Sequence, residues 1–330
     1  MKPYLQLTDR GRARRLRRLA LNALEQYDLA VERVRLIDNG FNAIFRLDTH
    51  GGEKYVLRVT LPEGGHTRAH VAAEMDWLAA LARDTDLSLP RPYPARDGSL
   101  VVEAAASGVP EARLCEVFSW VPGSDLADHL TPENMASFGE LSARLHLHAR
   151  AYQPPNGEAL LRFDRVFPFP EPVILFEPRF EALFPLQRRQ LFQRAIDAAQ
   201  AAIERLQASG EPLRILHGDL HQWNVRCSRG RLSPIDFEDL MWGWPVQDIA
   251  TTLYYFEGEP DYASQRAAFE LGYRRAAPWP ERYLGEIEAF IAARALGMVN
   301  FVLQDPALLE IEPLAFVERT EKRLLRLQAT

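Results

Sequence analysis

Cysteine and lysine are scarce in this 330-residue chain. Cys115 and Cys227 are too few for a disulfide framework and stand in no metal-ligand spacing. That excludes a cystine-stapled or zinc-ribbon fold and fits a reducing, cytoplasmic setting. Lysine occurs only at Lys2, Lys54 and Lys322, so arginine supplies nearly all the positive charge. No run of about 18 apolar residues exists, so no membrane span is expected. The N-terminus carries charge without a following apolar segment, which gives no expectation of a secretory signal. Internal repeats, low-complexity tracts and Gly/Ser linkers are lacking too.

What remains is an ordinary globular composition with room for one large or two medium domains and a sizeable core. The formal net charge of −6 disfavours a general nucleic-acid binder. That charge is uneven. Residues 1–20 hold Lys2, Arg10, Arg12, Arg14, Arg15, Arg17 and Arg18 against Asp9, a net +6 that leaves −12 for the remainder. The arm reads as the solvated face of a helix, or else as a partner-binding segment.

Periodicity divides the chain into a mixed first third and a helical remainder. Apolar Leu16, Leu19, Ala20, Ala23, Leu24 and Tyr27 predict an amphipathic helix over 12–27. Short strands are expected over 31–37 and 41–47, around the turn signal Asp38-Asn39-Gly40. Lys54 to Thr60 alternates, with Arg58 on the face opposite Leu57. A helix over 71–83 carries Glu74, and strands follow over 99–104 and 113–119. Thr131 as N-cap and Pro132 at the first position open a helix to Arg150. His146 and His148 stand too close together for one helical face, so no metal pair is expected there. Residues 153–178 are aromatic and broken by six prolines, an irregular packed insertion. Helices are then expected over 186–207, from Pro245, and over 262–275, 281–304 and 314–327.

The chemistry concentrates between Leu216 and Leu240. His217-Gly218-Asp219 is followed five positions later by Asn224, and Ile235-Asp236-Phe237 comes after a short hairpin around Ser228-Arg229-Gly230-Arg231. A surface turn with an aspartate at a strand end would use the same residues. The typed order His-x-Asp, four residues, Asn, then Asp-Phe resembles the catalytic loop and metal-binding aspartate of protein-kinase-like phosphotransferases. With Gly218 after the histidine it resembles the aminoglycoside phosphotransferase and choline kinase-like family.

That resemblance implies an α+β, bilobal protein-kinase-like fold. An antiparallel-sheet nucleotide-binding lobe would span 1–118 and a mainly helical catalytic and substrate lobe 119–330. It implies ATP as phosphate donor and Mg2+ as cofactor. Asp219 would orient the acceptor hydroxyl and take its proton, with His217 and His221 beside it. Asn224 and Asp236 would hold Mg2+, a hard ion suited to one or two carboxylates plus phosphate oxygens. Asn39 and Gly40 fall where the family covers the phosphates, although a plain hairpin turn explains them equally. Arg58 takes the place of the usual ATP-binding lysine, paired with Glu74. An exposed strand arginine is the alternative, and a guanidinium is not a neutral replacement for an ammonium. The hinge falls over 118–123, with backbone groups of Ser119 and Val121 towards adenine, and Asp248 would brace the catalytic loop or simply serve a helix start. The acceptor is expected to be the hydroxyl of a small molecule, with the acidic residues Glu238, Asp239, Glu257, Glu259 and Asp261 as local support for a cationic one. A protein substrate, through the bacterial stress-response Ser/Thr kinases, and a nucleotide binder without transferase activity are the other readings.

Overall fold

A computed structural model of the chain describes residues 2–40, 42–60, 66–305, 308 and 313–328. These divide into two compact units. One comprises Met1–Gly123, Gln153–Leu160 and Ser233–Ile235; the other comprises Ser124–Tyr152, Leu161–Leu232 and Asp236–Thr330.

The first unit is built on an antiparallel sheet. Strands β1 (Val31–Asn39), β2 (Asn42–Thr49), β3 (Lys54–Thr60), β4 (Pro92–Tyr93), β5 (Val102–Ala104) and β6 (Arg113–Ser119) stand in the order β1-β2-β3-β6-β4, with β5 also on β6. Helix α1 (Asp9–Leu24) lays Leu16, Leu19, Ala20 and Ala23 onto the same core as Phe45, Leu57, Val59, Cys115 and Val117. Each large apolar side chain removed from water there contributes about 1.5–3 kcal/mol before entropy is charged against it. Alternation had predicted one buried face for β3, but Arg58 is buried alongside Leu57 and Val59. Helix α2 (Arg68–Asp84) supplies its partner, and Thr67 Oγ1 caps that helix by accepting from the His70 amide at 3.2 Å. The strand start expected at Phe41 lies outside the described residues.

The second unit is mainly helical: α3 (Pro132–Ala151), α4 (Leu186–Ala208), α5 (Pro245–Tyr254), α6 (Tyr262–Ala276), α7 (Glu286–Gln304) and α8 (Pro313–Leu327). Helices α3 and α6 meet at glycines. A Cβ on Gly139 would stand 1.9 Å from the Phe269 carbonyl oxygen, and one on Gly272 1.7 Å from that of Ala136. Nothing larger than hydrogen fits at that crossing. Short strands carry the loops between helices. Strand β12 (Met241–Gly243) pairs antiparallel with β9 (Arg214–Leu216) and parallel with β8 (Leu161–Arg162). Strands β11 (Arg231–Pro234), β10 (Val225–Ser228) and β7 (Ser124–Asp125) form a second small sheet. Both residues of the β10–β11 turn, Arg229 and Gly230, have positive φ (52° and 76°), the geometry that matches hairpin twist.

Two expectations need correction. Helix α7 begins at Glu286 and not at residue 281, because Gly285 turns left-handed at φ 89° and Glu286 is tied back to Arg282. The proline-broken insertion is not wholly irregular: it contains β8 and a 3-10 turn at Gly157–Ala159, and a second 3-10 turn, Pro178–Leu183, starts at its last residue. Its later part is pinned by Asn300 of α7, which accepts from the Ile174 amide at 2.8 Å and donates to the Pro172 carbonyl at 3.1 Å.

Candidate active site

In the first unit, the Arg58 guanidinium forks onto Glu74, Nη1 to Oε1 at 2.9 Å and Nη2 to Oε2 at 2.5 Å. Its Nε donates to Glu116 Oε2 at 3.0 Å, and Arg58 also lies over the Phe118 ring at 5.4 Å. The expected Arg58–Glu74 pair is therefore present, and the exposed-arginine reading is excluded. Glu116, on the neighbouring strand and fully buried, was not anticipated. Around the predicted nucleotide contacts, Gly40 donates to Asp38 Oδ2 at 3.1 Å, and Asn39 ends β1 in register with Ala43. The Ser119 and Trp120 amides are engaged by the carbonyls of Arg91 (2.9 Å) and Lys54 (3.1 Å).

In the second unit, the loop from β9 to β10 carries His217, Asp219, His221 and Asn224, and α5 holds its backbone. Pro245 opens that helix with its missing N–H where no partner is needed. Asp248, in the first turn, is fully buried. Its Oδ1 accepts from the Gly218 amide at 3.0 Å and its Oδ2 from the His217 amide at 3.3 Å. Thr252 Oγ1 donates to the Leu220 carbonyl at 2.6 Å. Behind Asp248 stands His146, with Nε2 3.1 Å from Oδ2 and Nδ1 2.9 Å from the Tyr273 hydroxyl. Burial alone would raise the Asp248 carboxyl, but the hydrogen bond and charge of His146 hold it below its ordinary range. Asp248 is thus more than a helix-start charge. His146, judged too close to His148 for a metal, works as the support of that carboxylate.

Gly218 is required by two independent facts. Its φ is +82°, and a Cβ there would lie 2.1 Å from the Asp239 carbonyl oxygen. The turn it permits presents Asp219. One carboxylate oxygen, Oδ1, accepts from Arg294 Nη2, and the other lies 3.2 Å from His221 Nε2 and 3.3 Å from Asn224 Nδ2. The Trp223 amide donates to His221 Nδ1 at 3.3 Å, so Nε2 carries the ring proton and donates to Asp219. Burial again works upward on Asp219, yet the Arg294 guanidinium, then His221 and His217, keep its carboxyl well below the usual range. Arg294 escaped sequence reasoning; its one signal was a lone charge inside the apolar run from Phe290 to Leu296. Tyr255 accepts a second bond from the same Nη2 at 3.0 Å, and its ring makes T-shaped contacts with His221 and Trp223 at 4.5 and 5.6 Å.

The metal residues are consistent with Mg2+. Asn224 donates through Nδ2 to the Asp219 carbonyl (3.0 Å) and carboxylate, which fixes the amide orientation and turns Oδ1, an oxygen of the type Mg2+ takes, away from those bonds. A two-residue turn, Arg229-Gly230, joins β10 to β11, so the chain doubles back between Asn224 and Asp236. Asp236 is exposed and has φ 63°, an unusual conformation for a non-glycine residue. Among the described residues no group of three His, Cys, Asp or Glu gathers into a cage. Mg2+ bound through one carboxylate, one amide and substrate phosphates needs none.

Of the acidic residues thought to favour a cationic acceptor, Glu257 is already committed. Arg326 donates to both its oxygens at 2.8 and 2.9 Å, and Arg323 Nε adds 2.7 Å. Trp244 packs, with Nε1 on the Glu211 carbonyl at 2.9 Å. No helix among the described residues is long and apolar enough to cross a membrane.

An antiparallel-sheet unit, a helical unit and a braced His-Gly-Asp loop define a protein-kinase-like phosphotransferase fold. Residues 33–283 match the APH phosphotransferase enzyme family, and the chain belongs to that family. It is 25% identical over 237 residues to amicoumacin kinase of Bacillus subtilis (strain 168), covering 70% of this chain and 66%, just under two thirds, of that relative. Among solved structures, the amicoumacin kinase hAmiN in complex with AMP-PNP, Ca2+ and Ami superposes with a TM-score of 0.76 at 20% identity, over 96% of both chains. A microcompartment-associated aminopropanol kinase gives 0.75 at 23% identity, over 94% of this chain and 97% of that one. At that identity these likenesses establish the fold.

Proposed function

We propose that this protein transfers the terminal phosphate of ATP to an alcohol group of a small molecule. The observation that carries this reading is Asp219: a carboxylate on a loop fixed by Asp248, positioned by His221, Asn224 and Arg294. The three similar kinases named above act, by their names, on small molecules that are not proteins, which favours such an acceptor over a protein substrate.

Residues 1–118 serve as the nucleotide lobe and 119–330 as the catalytic and acceptor lobe. Arg58, held by Glu74 and Glu116, takes the role of phosphate clamp, with Asn39 and Gly40 over the phosphates. Val121 offers its backbone to adenine, since the Ser119 and Trp120 amides are engaged. Asn224 Oδ1 and the Asp236 carboxylate hold Mg2+, which when bound neutralises phosphate charge. Asp219 accepts a hydrogen bond from the acceptor hydroxyl, aligns it, and receives its proton as the phosphoryl group transfers. His217 braces the loop: its Nδ1 accepts from the Asp219 amide at 3.4 Å and its ring packs on Phe237 at 4.5 Å.

The test is ADP release from ATP and Mg2+ with a panel of alcohols, in wild type and Asp219→Asn. The substitution is expected to lower turnover by about 10²- to 10⁴-fold with ATP affinity nearly intact. Retention of most activity by Asp219→Asn would remove it from the mechanism.

A further inference from the structure

We infer that Trp223 is an acceptor-specificity residue: its indole stacks against a flat, unsaturated ring carried by the alcohol that Asp219 receives. This rests on the kinase reading and names the class of acceptor for that site.

A single apolar side chain in water is ordinary where nothing holds it. Trp223 is 49% exposed, yet both its backbone and its ring are fixed. The backbone lies in the turn from His221 to Asn224. There the Trp223 amide donates to His221 Nδ1 at 3.3 Å, and the Asn224 amide to the His221 carbonyl at 2.9 Å. The indole meets His221 and Tyr255 edge-to-face, both with centroids 5.6 Å away, at interplanar angles of 74° and 81°. Those two rings are tied down in turn, His221 by Asp219 and the Tyr255 hydroxyl by Arg294. The freedom of a large side chain is therefore lost before any ligand arrives, which favours binding and does nothing for a solvated residue.

The indole also has contacts to spare. Trp244 and Trp279 pack with Nε1 donating to the Glu211 carbonyl and the Glu281 carboxylate. Among the described residues Trp223 Nε1 has no such acceptor, and no ring lies parallel to the indole. Position makes that surface relevant to the reaction. Trp223 stands between His221 and Asn224, and both of these donate to the Asp219 carboxylate. A ring stacked on the indole carries its hydroxyl arm towards that carboxylate.

The charged groups nearby are already matched. Arg294 is paired with Asp219 and feels the Asp239 charge as well, so it does not select an anion. It also lies over the Tyr255 ring at 5.9 Å, so a cationic acceptor meets a cation already on this aromatic cluster. Glu257 is taken by Arg323 and Arg326. Recognition is left to the rings, and an aromatic pair gains stability from its geometry beyond the area it buries.

The test uses three alcohols, 2-phenylethanol, 2-cyclohexylethanol and choline, with wild type, Trp223→Phe and Trp223→Leu. Cyclohexyl has as many carbons as phenyl, so apolar burial alone gives phenyl no advantage. Stacking is expected to favour 2-phenylethanol over 2-cyclohexylethanol by about three- to tenfold in kcat/KM, with choline last. Trp223→Phe should keep that order, and Trp223→Leu should erase it through a higher KM for 2-phenylethanol. An equal fall in kcat on all three alcohols would mark a structural role through His221 and overturn the inference. Equal or better use of 2-cyclohexylethanol or choline by wild type would overturn it too, and that result stands even where Trp223→Leu fails to fold. Ring binding is read separately, by saturation-transfer NMR of 2-phenylethanol without ATP. Binding seen in wild type and lost in Trp223→Leu supports the inference even where no alcohol is phosphorylated. Absence of binding, or binding unchanged in Trp223→Leu, sinks it. Loss of ATP binding and ADP release with ring binding intact is a different result: it fails the kinase reading while Trp223 still takes the ring.

Discussion

Replacing Arg58 tests whether the buried cluster of the first unit holds its sheet to α2. Arg58 is 5% exposed, Glu74 2% and Glu116 0%, so the Arg58→Ala protein leaves two carboxylates buried without their cation. Removing one partner of a buried, hydrogen-bonded ion pair costs about 3–5 kcal/mol. Arg58→Lys keeps the charge but replaces a fork making three N–H···O bonds by a single ammonium. Loss of one charge-assisted bond gives about 1.5–3 kcal/mol, so lysine, although usual at this place in the family, is expected to destabilise here. Glu74→Gln, which touches two of the bonds, should cost more than Glu116→Gln, which touches one. Urea unfolding of each variant supplies the stabilities, and ATP titration of those that remain folded shows whether phosphate binding follows. The Arg58→Ala/Glu74→Ala double variant should be little worse than either single one. An Arg58→Ala protein within about 0.5 kcal/mol of wild type would refute the reasoning, since only surface substitutions are that mild.

Asp236→Ala should weaken Mg2+-dependent nucleotide binding more than Asn224→Ala, because a charged ligand is lost in one case and a neutral one in the other; titration with ATP at fixed Mg2+ ranks them. Gly218→Ala should abolish turnover while the helical content by circular dichroism survives, because the added Cβ displaces the loop from Asp239. Since Asp248 is depressed in the folded state, its contribution is present above the ordinary carboxylate pKa of 3.8 and is lost as pH falls below that towards the folded value. His146→Leu removes a cause of the depression and should move acid unfolding, followed by tryptophan fluorescence, to higher pH.

Local physics made much of this legible in advance. Caps and proline positions placed α3 and α5, alternation placed β3, and turn chemistry placed the β10–β11 hairpin. Arg58 with Glu74 followed from the family resemblance, and the packing of α2 confirmed it. What stayed hidden were partners brought together across long separations. Glu116 meets Arg58 from 58 residues away, His146 meets Asp248 from 102 and Arg294 meets Asp219 from 75. Periodicity says which face of a helix is buried but not which element covers it. That Glu257 is already paired was hidden for the same reason, because Arg323 and Arg326 belong to a helix some 70 residues on.

Helix α7 shows what such a polar residue in an apolar segment signifies. Four of its polar side chains are buried or nearly so, and each fixes a different part of the second unit. Glu286 holds Arg282 just before the helix, Glu288 pairs with Arg266 of α6, and Asn300 pins residues 172 and 174. Those three are structural: their partners are fixed elements, and each bond closes a loop or joins two helices. Arg294 instead points its bonds at Asp219 and the Tyr255 hydroxyl, on the loop and helix of the candidate site. Burying a charge is tolerated only where something of opposite sign compensates it. For Glu286 and Glu288 the fold supplies that compensation permanently. For Arg294 the compensation is Asp219, the carboxylate proposed to receive the acceptor hydroxyl, so this pair ties the helix to the candidate site. The same burial rule thus fixes three of these residues to the scaffold and the fourth to the loop that presents Asp219.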